Sequence, residues 1–244
     1  MSSVETRKFE PATGTAVNLG ASGDAVTLPA GVTLQTNTIK DAGGNTIFTS
    51  DGAGTLSSIN SGLQGGMSLI SSQTFSGSSG VEFKSGLGDY DEVVFYFFNV
   101  QHSNDDTKLE FQVSTNGGSS YGVAITSTFF YANHFWTWST DVALSYEDGS
   151  DLAGSTSYQR LTSSSDNGGT ISGSCSAGEL HLFGCASTTY VKQFYSRLDN
   201  IFYIQGFYEN FAAGYVNTTS AVDAIKFKPT ANTISGTIAM YGIS

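Results

Sequence analysis

Three histidines, two cysteines and two pairs of neighbouring acids are the residues of this chain whose types could carry chemistry. A structural zinc centre needs about four thiolate or imidazole ligands at short, regular spacing. His102, His134 and His181 stand far apart, and only His181 has a cysteine near it, Cys185 four residues on. Two ligands fall short, so no metal and no cofactor is expected. The acid pairs are Asp105 with Asp106 and Asp148 with Asp151. Glycoside hydrolysis needs only two carboxylates roughly 5–10 Å apart, which sequence cannot exclude. Both pairs lie in polar stretches, where solvated loop acids are the ordinary reading. Neither has the spacing of an EF-hand calcium loop. A zincin helix, a phosphate loop and a dinucleotide fingerprint are all missing from the sequence. No catalytic residue is assigned, and the chain is not expected to be an enzyme.

The sharpest feature is aromatic. Phe129 to Trp138 (FFYANHFWTW) holds both tryptophans of the chain. Tyr131, His134, Phe135, Trp136 and Trp138 are its candidate ligand or interface residues. Aromatic faces beside polar groups stack on sugar rings, fill subunit interfaces or fill a core. All three uses stay open here. On a strand, Trp136 and Trp138 would share one face, opposite Phe135. A second aromatic stretch, Phe202 to Tyr215, invites the same three readings.

Strands are the elements that must position these residues. No run shows apolar residues at helical spacing over three turns. Leu109, Phe111 and Val113 alternate with Lys108, Glu110 and Gln112, as a half-buried strand does. Leu180 and Leu182 alternate with Glu179 and His181, and Ile225 and Phe227 with Lys226 and Lys228. Val93 to Val100 (VVFYFFNV) is apolar on both faces and reads as a central strand covered on both sides. Asn116-Gly117-Gly118 and Asn167-Gly168-Gly169 supply the positive-φ residues of tight hairpins. Many short strands, Gly-rich turns and no helix specify an all-β sandwich or barrel.

Composition agrees. Of 244 residues only 13% are charged, while 13% are aromatic, with 17 Phe and 12 Tyr. Disorder of the whole chain needs the opposite balance. A net charge of −11 repels phosphate backbones and anionic membranes, so neither nucleic acid nor a membrane is an expected partner. No run of some 18 apolar residues offers a membrane span. Met1 to Pro11 carries Glu5, Arg7, Lys8 and Glu10 without an apolar core, unlike a secretion signal. Cys175 and Cys185 then read as two reduced thiols of a cytoplasmic product.

Composition also shifts near residue 65. Residues 1–66 hold no Trp or Tyr and only two Phe, Phe9 and Phe48. Their apolar bursts are too thin for a core of their own and need sister chains or a larger body. Gly62 to Gly66 reads as a hinge. The expected organisation is an extended, mostly β attachment and trimerisation arm over 1–66 and a jelly-roll-type sandwich over 67–244.

Several phrases then carry a resemblance. They are Ser68 to Thr74, Val81-Glu82-Phe83, Phe111 to Tyr121 (FQVSTNGGSSY), Ser220 to Phe227 (SAVDAIKF) and Ile234 to Ile243 (ISGTIAMYGI). The sandwich resembles the C-terminal β-sandwich domain of structural and tail-fibre-like proteins of tailed, especially marine, bacteriophages. Asp24 to Leu34 and Ile39 to Gly54 resemble shaft or attachment segments of phage fibres. The resemblance implies a virion protein made in the host cytoplasm: a short tail fibre or receptor-binding protein, with a capsid decoration or head-fibre protein as the alternative. A lectin-like carbohydrate-binding module is the alternative of a different class. The expected partners are further copies in a homotrimer, other virion proteins and a host-surface glycan or protein. Arg7, Lys8 and Phe9, apolar beside charged, are the candidate virion-attachment residues.

Overall fold

In a computed structural model of the chain, residues 36–41, 43–53, 56–59, 66–104, 106–136, 142–163, 174–202 and 206–244 are described. Arg7, Lys8, Phe9, Trp138, Asp105 and the Asn167-Gly168-Gly169 turn lie outside them. Contacts divide the chain into two compact units, Met1–Leu63 and Gln64–Ser244.

In the first unit, β1 (Thr38–Lys40), β2 (Thr46–Ser50) and β3 (Leu56–Ile59) form an antiparallel meander. Asp41 builds the first turn. Its carboxylate accepts from the backbone N–H of Asn45 at 2.8 Å and from the Asn45 amide at 3.0 Å. Those bonds hold the Asp41 carboxyl below its usual range.

The second unit is a two-sheet sandwich with no helix among the described residues. Its strands are β4 (Ser68–Ser78), β5 (Val81–Phe83), β6 (Glu92–His102), β7 (Leu109–Ser114), β8 (Ile125–Phe135), β9 (Val142–Tyr146), β10 (Ala153–Ser155), β11 (Gln159–Arg160), β12 (Ser176–Phe183), β13 (Lys192–Phe202), β14 (Gly206–Val216), β15 (Ala224–Pro229) and β16 (Ile234–Ile243). The larger sheet runs β10-β8-β14-β13-β12-β6-β16-β4, with β9 also on β8. The smaller runs β11-β7-β15-β5. Every pairing is antiparallel.

The core lies between the sheets. Phe227 of the small sheet meets Phe95 and Phe97 of the large one edge-on, with ring centroids 5.1 and 5.2 Å apart. Phe111 meets Phe194 at 5.2 Å. Buried Phe, Leu, Val and Ile from both sheets surround these rings. Each aromatic removes about 150–250 Å² from water, which makes this cluster the main source of stability.

Two strands differ from their sequence reading. Strand β7 is buried on both faces, not one: Glu110 is 8% exposed and Gln112 is fully covered. Gln112 donates to the carbonyls of Val123, Thr156 and Ser157 from the segments that cover it. Glu110 pairs with Lys228, whose ammonium sits 4.4 Å from the centre of the Tyr158 ring. Strand β6 is central, between β12 and β16, but only one face is covered by the other sheet. Val93, Phe95 and Phe97 point into the core, while Tyr96 is half-buried and Phe98 is 48% exposed.

The Asn116-Gly117-Gly118 turn has the positive φ angles that its residues suggested, 70° and 77° at the glycines. It does not close a hairpin. Strand β7 lies in the small sheet and β8 in the large one, so the turn carries the chain across the sandwich.

Candidate functional site

Within the unit Gln64–Ser244, the one other sheet among the described residues packs on the core face of the large sheet, and no sheet of that unit covers the opposite face. Its side chains fall into cross-strand rows fixed by the register. One row runs Tyr146, Phe130, Phe211, Arg197, Glu179, Tyr96, Ala239 over β9, β8, β14, β13, β12, β6 and β16. The next, on one side, runs Tyr195, His181, Val94, Tyr241, Leu69. On the other side lie Leu144, Ala132, Glu209, Asp199. Strand alternation delivers these residues: in β13, for example, Tyr195, Arg197 and Asp199 alternate with buried Phe194, Ser196, Leu198 and Asn200.

The middle of the face holds four charged residues. Arg197 is clamped to Glu209 through Nε and Nη2. Glu179, Arg197 and Asp199 line a groove of about 280 Å³ with Gly178. Gly178 has φ 142°, and a Cβ there would lie 2.2 Å from the Arg197 carbonyl oxygen, so no side chain fits. Asp199 faces Glu209 directly across the strands. Its Oδ1 is buried without a hydrogen-bond partner. Burial first, and Glu209 second, push the Asp199 carboxyl above its usual range, while Arg197 opposes them.

Aromatic rings flank this group. The His181 ring lies flat on Tyr195, and Phe183 continues the set at 5.9 Å from Tyr195. His181 Nδ1 is held by Glu92, and Nε2 lies 3.5 Å from Glu179. Tyr96 meets Tyr241 edge-on at 5.7 Å. Burial, then Glu92 and Glu179, raise the Tyr195 phenol; burial, then Glu179 and Glu92, raise that of Tyr96, so both stay protonated donors. On the far side Phe130 stacks on Phe211 at 4.8 Å. Ring faces beside carboxylates and phenols can stack on the C–H faces of a sugar and exchange hydrogen bonds with its hydroxyls.

Alternation splits the Phe129 to Trp138 run. Phe129 and Phe135 are core residues at 0% and 5% exposure. Tyr131 is half-buried on the inner side, edge-on to Tyr208 at 5.3 Å, and Phe135 meets the same tyrosine at 5.6 Å. His134 is exposed on the open face, opposite Phe207 and Val142. Trp136 is 74% exposed and lies beyond the end of β8, and Trp138, expected to share its strand face, lies outside the described residues. The central acid–arginine group was missed because its members come from three strands and form no motif. The outward spacing of Phe207, Phe211 and Tyr215 was the available signal.

The remaining chemical candidates disperse. Cys185 is buried in the core, whereas His181 faces outward from β12, and the two cysteines form no disulfide. Burial pushes the Cys185 thiol up to about 12. Asp151 accepts from the Tyr146 hydroxyl, and Asp148 is an exposed turn residue. Among the described residues no group of three or more His, Cys, Asp or Glu is placed to hold a metal ion. The chain matches no family model, no curated protein and no solved structure.

Proposed function

We propose that the chain is a structural protein of a tailed-bacteriophage particle. In this reading it is a short tail fibre or receptor-binding protein. It attaches through residues 1–66, assembles as a homotrimer and holds the open sheet face against host-surface saccharide without turning it over. The observation that carries the reading is the interleaving of rings and carboxylates on one uncovered face: Tyr195, His181 and Tyr96 beside Glu179, Arg197 and Asp199. Soluble single domains rarely leave so many large rings on one face unless something binds there. The phrases that carry the phage resemblance support it from another side. They build the β7 strand and turn, β15 and β16, which are framework elements of the sandwich.

Immunogold labelling of particles with antibody to this chain tests the proposal. Label at the tail tip is the expected result. Label over the head would replace the tail assignment with the decoration or head-fibre alternative. Particles without label, with the protein free in the lysate, would overturn the virion reading and leave a saccharide-binding module.

A further inference from the structure

We infer that the apolar end of the open face, around β9, is the surface through which copies of this chain meet. The inference rests on the self-assembling particle protein proposed above, and it names the contact. Strand β9 is an edge strand. It pairs with β8 through Val142 to Tyr146, and among the described residues no strand takes its other side. Natural edges are guarded by charge, proline or a bulge against pairing with another chain. This one is Val-Ala-Leu-Ser-Tyr and has none of these guards.

The large apolar side chains of β9 are all exposed. Val142, Leu144 and Tyr146 are 58%, 75% and 58% exposed. They adjoin His134 and Phe130 on β8, and Phe207 beyond them on β14. Phe130 is 38% exposed, Phe207 43% and the neighbouring Trp136 74%. At about 200 Å² for a large side chain, these six expose roughly 700 Å² of mostly apolar surface. A typical monomer's largest patch is about 300–600 Å², and one side of a standard interface is about 800 Å². The patch thus has the size of one half of a stable contact.

Charge selects the occupant. The chain carries −11, so two copies repel wherever their acidic surfaces face each other. None of the six patch residues is charged; the carboxylates of Asp151, which accepts from the Tyr146 hydroxyl, and of Asp148 stand at the rim of the patch. A second copy can therefore seat its own patch, or extend the sheet along β9, with its carboxylates left at the wet rim of the contact, where salt screens them. The saccharide groove lies farther along the sheet, over β12 and β13.

Sedimentation of the full chain across micromolar concentrations tests this, with Leu144→Glu, Leu144→Ser and Trp136→Ser beside wild type. Tyr190→Ser is the control, since Tyr190 is equally exposed at 75% but stands in the loop before β13. Wild type is expected to associate. Each patch variant should weaken association at least tenfold while keeping the wild-type circular dichroism, and the control should change nothing. If Leu144→Glu fails to fold, the Ser variants decide. A monomeric wild type overturns both the contact and the trimer. A trimer that survives all three patch variants overturns the contact alone. A dimer dissolved by them keeps the contact and overturns the threefold assembly.

Discussion

The imidazole of His181 lies parallel to the phenol ring of Tyr195, with centroids 4.3 Å apart and planes 13° from parallel. Glu92 holds the imidazole from one side, so the pair is a fixed, flat platform on the open sheet face. Fixed rings lose little entropy on binding, which favours a weak, repeated ligand such as a glycan.

Tyr195→Ala should therefore lower retention on host envelope saccharide about tenfold, the loss of one stacking contact. Its effect on stability should be small, because Tyr195 is 42% exposed. Affinity electrophoresis in gels containing the saccharide, with a urea titration beside it, checks both halves. Equal retention would remove the platform from the binding site.

Asp199 supplies a pH test. Its folded pKa is raised above the ordinary 3.8, chiefly by burial. The folded state therefore holds the proton more tightly than the unfolded state does. That contribution to stability is full below pH 3.8 and is lost as pH rises through the folded pKa. Asp199→Asn, neutral throughout, should be more stable than wild type at pH 7, by less than about 1 kcal/mol after solvent screening. The advantage should vanish below the carboxylate range. Thermal melts at pH 7 and pH 3 check the sign. Loss of saccharide retention in the same variant would mark Asp199 as an acid kept for binding at a cost in stability.

Phe227→Ala should destabilise the sandwich by about 3–5 kcal/mol, because its ring touches Phe83, Phe95, Phe97 and Phe111. Phe207→Ala, in the open face, should cost far less. Chemical denaturation separates them, and similar losses would mean that the open face is also core.

Lys192 is fully buried, and its ammonium donates to the carbonyls of Ser187, Tyr190 and Thr218. Lys192→Met keeps the volume but leaves three acceptors without a donor. It should cost about 2–4 kcal/mol and loosen the Ser187 to Tyr190 turn. Hydrogen exchange at Thr189 and Tyr190, whose N–H groups bond the Ser187 hydroxyl, reads the loosening.

Alternation made β12 and β15 legible as half-buried strands, and the apolar run of β6 marked it as central. Sequence could not show that two segments of the chain fold over the polar side of β7, because those covers come from residues 123 and 156–157. Nor could it show which aromatic residues of Phe129 to Trp138 face water, since the run is aromatic at both strand parities. The groove of Glu179, Arg197 and Asp199 depends on the pairing of β12 with β13, a register that no local spacing encodes. Val94, outward-facing yet fully buried among its neighbours, shows how far cross-strand packing covers the open face.

Strand β16 lies between β6 and β4 in the large sheet. Thr74 and Thr237, hydrogen-bonded at 2.9 Å, are 163 residues apart in the chain. While the protein is being made, β4 and one edge of β6 must wait until the ribosome has delivered Ile234–Ile243. Until then the nascent chain presents two unpaired strand borders and unfilled Phe and Val sites to its neighbours. Folding of this unit is therefore held back until β16 has been made, and crowded polysomes making it have most to gain from a chaperone before that moment.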